Sequence, residues 1–276
     1  MSRASLRDVL PIALRENYAL AGLVVLGWED ALSYAEAAQE TGLPLILQAG
    51  PGFRRHMPLE VIAPMFNNVA ENASVPVVCH LDHATDLDEC RKALDLGFTS
   101  IMFDGSSKSL NQNIDLTAQA VELARRFEAS CEGEIGFVGY AEGEPGSVTD
   151  PQEAARFAAE TAVDAMAISV GNVHLQTEKA AKIDWSALQA IDDTTNVPLV
   201  LHGGSGIPSR DRQKLAASSA VCKFNIGTEL RMAFGSALRT TLAREPELFD
   251  RLTIMRNTAP AVVAEAKRIM LELKGT

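Results

Sequence analysis

Residues 75–103, VPVVCHLDHATDLDECRKALDLGFTSIMF, contain two short apolar runs on either side of an amphipathic segment. The runs Val75–Leu81 and Ser100–Phe103 are rich in residues that favour buried strands. Between them, Leu87–Leu96 carries its apolar residues at helical spacing. A strand, a helix and a second strand in this order form the unit from which parallel α/β sheets are built.

The same unit repeats along the chain. Six further apolar runs predict strands at Ala21–Leu26, Pro44–Gln48, Cys131–Gly136, Ala165–Val170, Pro198–His202 and Val221–Ile226. Helices are predicted at Trp28–Thr41, Asp115–Phe127, Asp150–Ala159, Ser209–Ala217, Thr228–Arg244 and finally Ala259–Leu273. Eight units in 276 residues favour a closed (β/α)8 TIM barrel over an open doubly wound sheet. We therefore expect residues 1–276 to form one α/β domain with an extra C-terminal helix.

Composition narrows the functional class. Hydrophobic residues make up 47% and charged residues 22%, which is typical of globular proteins. A net charge of −11 with only 5% aromatic residues argues against nucleic-acid binding. No apolar run approaches the roughly 20 residues of a membrane span, and the N-terminal segment lacks a signal-peptide core. Cys79, Cys131 and Cys222 lie in or beside apolar runs, which indicates reduced thiols and a cytoplasmic protein.

Four of the five histidines lie at the ends of predicted strands, where barrels of this kind carry their functional groups. They are His80, His83, His174 and His202. Three histidines with an open fourth position are a common catalytic zinc site. Because side chains alternate along a strand, spacing leaves two sets open. Either His83 or His80 joins His174 and His202.

Two carboxylates also lie at the ends of predicted strands. Asp82 stands beside a candidate metal ligand, where it could exchange a proton with a substrate oxygen. Asp104 ends the fourth predicted strand. Its carboxylate could support a metal ligand, bind a second cation or cap the next helix.

Glycine-rich turns follow the seventh and eighth predicted strands, which is the usual phosphate site of this fold. They comprise Gly203, Gly204, Ser205 and Gly206, then Asn225, Ile226, Gly227 and Thr228. An acidic stretch at 139–146 predicts a mobile loop that could bring Glu142 or Glu144 to the barrel mouth. A plain solvent-exposed loop is the alternative.

Several motifs resemble one known family, in unbroken chain order from about residue 43 to 228. They are His80-Leu-Asp-His83, Gly97–Ser106, Glu132-Gly-Glu-Ile-Gly136, Thr149-Asp-Pro151, Gly171-Asn-Val-His174, Leu201–Pro208 and Lys223–Thr228. The chain is identified as a member of the class II, zinc-dependent ketose-bisphosphate aldolases. Its size resembles that of the fructose- and tagatose-bisphosphate enzymes.

The resemblance assigns roles that spacing leaves open. It implies that Asp82 is the catalytic acid/base, and that His83, His174 and His202 hold Zn²⁺. His80 becomes a supporting residue, and Glu142 becomes the glutamate of the mobile loop. Glu134, and by its position Asp104, lie near an alternative metal site. The two glycine-rich turns take the phosphate of dihydroxyacetone phosphate, beside a monovalent cation, Na⁺ or K⁺. A homo-dimer or homo-tetramer is also implied.

The implied reaction is the reversible cleavage of a ketose phosphate or bisphosphate to dihydroxyacetone phosphate and an aldehyde. Zinc would stabilise the enediolate, while Asp82 takes the hydroxyl proton of the departing aldehyde. Departures from the family pattern are Leu23-Val24 in place of Phe-Asn, Gln48-Ala-Gly50, Tyr140, Leu175, the divergent stretch 176–182 and Gly227. They predict a retained dihydroxyacetone-phosphate half and an altered aldehyde half. A second anionic group of the substrate could meet Arg54, Arg55 or the C-terminal arginines.

Two other functions remain as alternatives. A metal-dependent hydrolase on the same fold is disfavoured, because such barrels often begin with His-x-His on the first strand and this chain has no histidine there. A barrel that binds sugar phosphate without catalysis is permitted by the substitutions at Val24 and Gly50, but Asp82 and the three histidines argue against it. A mono-phosphorylated or otherwise unusual ketose would keep the aldolase chemistry.

Overall fold

The computed structural model describes residues 2–139 and 146–275, which contain a closed barrel of eight parallel strands. After a two-residue strand, β1 (Arg3–Ala4), the barrel strands are β2 (Leu20–Val24), β3 (Leu45–Ala49), β4 (Val77–Ala84), β5 (Ser100–Phe103), β6 (Ser130–Ile135), β7 (Ala165–Ile168), β8 (Leu199–Leu201) and β9 (Val221–Ile226). Each strand pairs with its neighbours along the chain, and pairing of β2 with β9 completes the ring. The predicted TIM barrel is confirmed.

Helices occupy the connections. They are α1 (Leu6–Arg15), α2 (Trp28–Thr41), α3 (Pro51–His56), α4 (Leu59–Asn72), α5 (Leu87–Asp95), α6 (Leu110–Arg126), α7 (Pro151–Thr161), α8 (Trp185–Asp192), α9 (Ser209–Ser218), α10 (Thr228–Arg244) and α11 (Arg251–Lys274). The sequence did not predict α1, α3, α4 or α8. Helices α6 and α11 begin earlier than predicted, because Ser109 and Asp250 cap their free N–H groups. In the described chain, no helix is both long and apolar enough to cross a bilayer.

Helix α1 closes the end of the barrel where the strands begin. Its buried face, including Leu6 and Leu10, packs against inward-facing strand residues such as Ile46, Val78 and Val200. The Leu6 N–H donates to Ser130 Oγ at 2.9 Å. Because this end is filled with apolar side chains, polar chemistry is confined to the opposite end.

The predicted C-terminal helix is present and packs along α2 and α10 on the outside of the barrel. Arg212 of α9 is fully buried beneath it. The guanidinium pairs with Glu229 at 2.9 Å and with Glu272 of α11 at 2.7 Å. Since Glu229 lies in the first turn of α10, this ion pair fixes the helix that begins at the predicted phosphate turn.

Candidate active site

A cleft opens at the carboxyl ends of the barrel strands. Its lining includes Asp82, His83, His174, Ser205 and Thr228, which come from the ends of four different strands. The sequence predicted site residues after each of these four strands. The barrel therefore brings the candidate metal, acid/base and phosphate residues to one place.

An irregularity in β4 directs two adjacent side chains into this cleft. β4 pairs in register with β3 as far as Leu81, and its pairing with β5 shifts between Leu81 and Ala84. Within the shift, His83 has a left-handed φ of 54°. Adjacent side chains of a regular strand point to opposite faces, whereas this bulge lets both Asp82 and His83 line the cleft.

The three histidines of the first predicted set converge. Ring centroids lie 4.6 Å apart for His83 and His202, 5.3 Å for His83 and His174, and 5.6 Å for His174 and His202. Each offers a ring nitrogen within 4.8 Å of the others. His80 belongs to neither metal-ligand group found among the described residues; it is fully buried, with Nδ1 2.8 Å from Ser100 Oγ.

A second group of potential ligands shares His83. Asp104 Oδ2 lies 2.8 Å from His83 Nδ1, and Glu134 Oε2 lies 3.6 Å from the same nitrogen. Glu134 Oε2 also lies 3.5 Å from His202 Nδ1. These two buried atoms have no hydrogen-bond partner in the part of the chain that is described. Unpartnered buried polar atoms that face one point, beside three imidazoles, fit a divalent cation.

The protonation states of these clustered side chains determine how a cation can bind. Burial alone would lower the pKa of His83, but the charges of Asp82, Asp104 and Glu134 raise it to about 10. Burial lowers the pKa of His174 to about 4 and that of His202 well below its usual value. Burial, reinforced by Asp104, raises the pKa of Glu134 to about 8. At neutral pH the imidazoles of His174 and His202 are neutral, which is the form that binds metal, whereas His83 has to lose its proton when a cation binds.

A buried ion pair lies beneath the histidines, and the sequence did not predict it. Lys223 Nζ lies 2.7 Å from Glu132 Oε2, and both side chains are fully buried. Glu132 Oε1 is in turn 3.1 Å from His202 Nε2. Glu132 therefore contacts a candidate metal ligand from the interior of the barrel, and Lys223 compensates its charge.

Lys223 also orients the candidate acid/base through Asn225. Its ammonium donates to Asn225 Oδ1 at 2.8 Å, so the NH₂ group of this amide faces Asp82 Oδ1 at 3.1 Å. Gln48 Nε2 donates to the same oxygen at 2.9 Å. With Oδ1 occupied by two donors, Oδ2 remains for a proton. The Asn225 side chain thus forms a hydrogen bond with Asp82, and the sequence did not predict this contact.

The two glycine-rich turns lie side by side. Gly203 has a φ of 63°, and a Cβ there would lie 2.1 Å from the Val173 carbonyl oxygen, so only glycine fits. Ser205 Oγ accepts a hydrogen bond from the Glu229 N–H at 3.3 Å, which joins the first turn to the start of α10.

Gly203, Ser205, Asn225, Gly227 and Thr228 line the cleft. Gly204 and Ile226 pack together beneath them, where a Cβ on the glycine would lie 2.7 Å from Ile226 Cδ1. Thr228, the first residue of α10, lines the cleft, so the N-terminus of this helix lies where an anion can bind.

Two departures from the family pattern touch each other. Val24, at the end of β2, lies over Gly227, and a Cβ at residue 227 would be 3.1 Å from Val24 Cγ2. Both residues line the cleft, as do Leu26 and Leu175. Val24, Leu26 and Gly227 therefore form an apolar stretch of the cleft beside β2. Glu142 and Glu144, the candidates on the predicted loop, lie outside the described residues.

Comparisons with known proteins identify the family of the chain. The sequence model of class II fructose-bisphosphate aldolase matches residues 4–276. The chain is 35% identical over 271 residues to the fructose-bisphosphate aldolase of Geobacillus stearothermophilus, covering 96% of this chain and 94% of that one. It is 35% identical over 276 residues to the 6-phospho-5-dehydro-2-deoxy-D-gluconate aldolase of Shouchella clausii, covering 98% and 94% of the two chains.

Among solved structures, the YdjI aldolase from Escherichia coli K12 superposes with a TM-score of 0.86 at 29% identity, covering 98% of this chain and 96% of that one. The family match spans almost the whole chain, and the resemblance stated from the motifs is confirmed. The chain therefore belongs to the class II fructose-bisphosphate aldolase family and is an aldolase, a carbon–carbon lyase.

Proposed function

We propose that the chain is a zinc-dependent aldolase that reversibly cleaves a ketose phosphate or bisphosphate to dihydroxyacetone phosphate and an aldehyde. The observation that carries this proposal is the convergence of His83, His174 and His202 beside Asp82, next to the paired glycine-rich turns. A metal-ligand set, a candidate base and an anion site within one cleft are what this cleavage needs.

The three histidines are the proposed ligands of Zn²⁺. The ion, when bound, supplies Lewis-acid polarisation of the ketose carbonyl and of the charge that develops there. Asp104 accepts a hydrogen bond from His83 at 2.8 Å and orients its ring. Glu134 is the proposed ligand of an alternative metal position, shared with His83 and Asp104.

Asp82 is the proposed acid/base. Its Oδ2 takes the hydroxyl proton of the departing aldehyde during cleavage and returns it during condensation. Gln48 and Asn225 hold the other oxygen, so the carboxylate cannot rotate away from the reacting hydroxyl. Glu142 is the proposed group that exchanges the proton at the three-carbon fragment.

The phosphate of the three-carbon fragment is assigned to the turns at 203–205 and 225–228. Backbone N–H groups at the start of α10 and the Ser205 hydroxyl are the donors. A monovalent cation, Na⁺ or K⁺, is proposed beside this phosphate. The apolar side chains of Val24 and Leu175 in the cleft support a changed aldehyde half, because neither can form a hydrogen bond with a distal hydroxyl.

Wider properties of the protein are also proposed. Residues 1–276 act as one barrel domain, which associates as a homo-dimer or homo-tetramer. A cytoplasmic location is supported by the four buried free thiols, which suit a reducing compartment.

The deciding experiment is a panel of ketose mono- and bisphosphates assayed for dihydroxyacetone phosphate, with and without a zinc chelator. Release of dihydroxyacetone phosphate that stops on chelation and returns with Zn²⁺ supports the proposal. Cleavage that survives full removal of metal contradicts it. Phosphate release without carbon–carbon cleavage would point to the hydrolase, and binding without turnover to the non-catalytic barrel.

A further inference from the structure

The bulge in β4 leaves two site residues outside the regular strand pairing. Pairing with β3 ends at Leu81, and pairing with β5 resumes only at Ala84. The carbonyl groups of Asp82 and His83 therefore lie outside the ladder. Buried backbone carbonyls need donors from elsewhere in the molecule.

Arg54, on the short helix α3, supplies these donors. One guanidinium nitrogen, Nη1, donates to the carbonyls of Asp82 and Ala49, and Nη2 donates to the carbonyl of His83 at 3.1 Å. Its side chain is only 8% exposed. One planar group thus ties the end of β3 to both residues of the bulge.

Glu89 fixes the guanidinium from the opposite side. Arg54 Nε lies 2.8 Å from Glu89 Oε1, and Nη2 lies 3.1 Å from Glu89 Oε2, so the pair is bidentate. Glu89 belongs to the first turn of α5, directly after the loop that follows β4. Arg54 is therefore fully engaged by the protein, and this corrects the expectation that it meets an anionic group of the substrate.

We infer that Arg54 is a positioning residue that holds the Asp82–His83 bulge in the conformation from which both side chains face the cleft. The inference rests on the proposed roles of Asp82 and His83. His83 has a left-handed φ, which residues with a side chain adopt rarely and which the surrounding contacts have to hold. A planar guanidinium donates several hydrogen bonds in a fixed fork, which the point charge of lysine cannot do.

The test compares Arg54→Ala with Arg7→Ala as a matched control. Arg7 makes the same kind of bidentate pair with Asp164 and also donates to a backbone carbonyl, that of Ala129, but at the closed end of the barrel. Both variants lose an ion pair and some thermal stability. Arg54→Ala alone is expected to lower kcat, by about 100-fold at saturating zinc, with KM changed less than about threefold.

A second readout needs no turnover. Competition with a chromophoric chelator measures zinc affinity, which Arg54→Ala is expected to weaken by about tenfold and Arg7→Ala to leave unchanged. If the wild-type protein cleaves no ketose phosphate, the proposed function fails, while this comparison still decides the positioning role. Wild-type kcat and wild-type zinc affinity in Arg54→Ala would overturn the inference.

Two further variants keep the test decisive if Arg54→Ala does not fold. Arg54→Lys retains the charge beside Glu89 but loses the fork, so kcat is expected to fall while the melting temperature stays near that of Arg7→Ala. Glu89→Gln weakens the contact that holds the guanidinium but leaves Arg54 in place, so an intermediate fall in kcat is expected. Unchanged kcat and zinc affinity in Arg54→Lys would refute the role of the planar group.

Discussion

Replacing Asp82 by asparagine is the sharpest test of the proposed chemistry, because the site dictates how the new amide must lie. Gln48 and Asn225 donate to Oδ1 at 2.9 Å and 3.1 Å. Two donors require an acceptor, so the amide oxygen takes that place and the NH₂ group takes the place of Oδ2. The variant therefore keeps shape and hydrogen bonds and loses only the basic atom.

The expected loss in kcat is about 10²–10⁴-fold, the usual contribution of a general acid/base. This corresponds to about 2.7–5.5 kcal/mol of lost transition-state stabilisation. KM for the ketose phosphate and zinc content are expected to stay near wild type, because the histidines and the phosphate turns are untouched. Asp192→Asn is the matched control, since Asp192 accepts from the Ala220 N–H at the start of β9, far from the cleft.

Steady-state assays of dihydroxyacetone phosphate release, paired with metal analysis of the same samples, give the result. A kcat for Asp82→Asn within about tenfold of wild type, with one zinc bound, would refute the assignment of Asp82 as the base. Loss of zinc together with kcat would show instead that Asp82 shapes the metal site.

Three further predictions concern the metal ligands, the buried ion pair and the phosphate turn. Zinc binding near pH 7 is expected to release about one proton or more, because the pKa of His83 is about 10 and a ligand must be unprotonated. Affinity therefore rises with pH toward that value, and calorimetry in buffers of different ionisation enthalpy measures the release; heats independent of buffer contradict it. Lys223→Met leaves Glu132 buried without its partner and is expected to cost about 3–5 kcal/mol in urea unfolding, whereas adding Glu132→Gln recovers part of this loss. Gly203→Ala forces a side chain into the Val173 carbonyl and is expected to weaken inhibition by inorganic phosphate about tenfold or more, with Gly275→Ala, at the end of α11, as the control.

Much of the barrel could be predicted from sequence because its strands are buried on both faces. A continuous apolar run between amphipathic segments is typical of a parallel strand covered by helices, and Ser100–Phe103 and Val221–Ile226 have the predicted bounds. Helix α1 was missed because no predicted strand precedes it. Its apolar face is explained only by the end of the barrel that it covers, which the sequence does not show.

The site was predictable in part for a related reason. Residues at strand ends can be recognised from order along the chain, and this places His174 and His202 together with either His80 or His83. Only the resemblance to the family chose His83. The bulge at Asp82–His83 could not be derived, since the alternation rule describes regular strands. Lys223 sits within an apolar run, and only the fold brings it to Glu132. A buried lysine in a strand run is the signal that could have indicated this pair.

The contact between Val24 and Gly227 makes the order of substitutions matter. A side chain introduced first at 227 meets Val24, and a smaller residue introduced first at 24 leaves a hollow over the glycine. Each single substitution is expected to lower the stability of the fold more than the matched double substitution does. The two positions are therefore expected to show epistasis. A change in the shape of the cleft at this point, natural or engineered, is therefore expected to require both residues to change together.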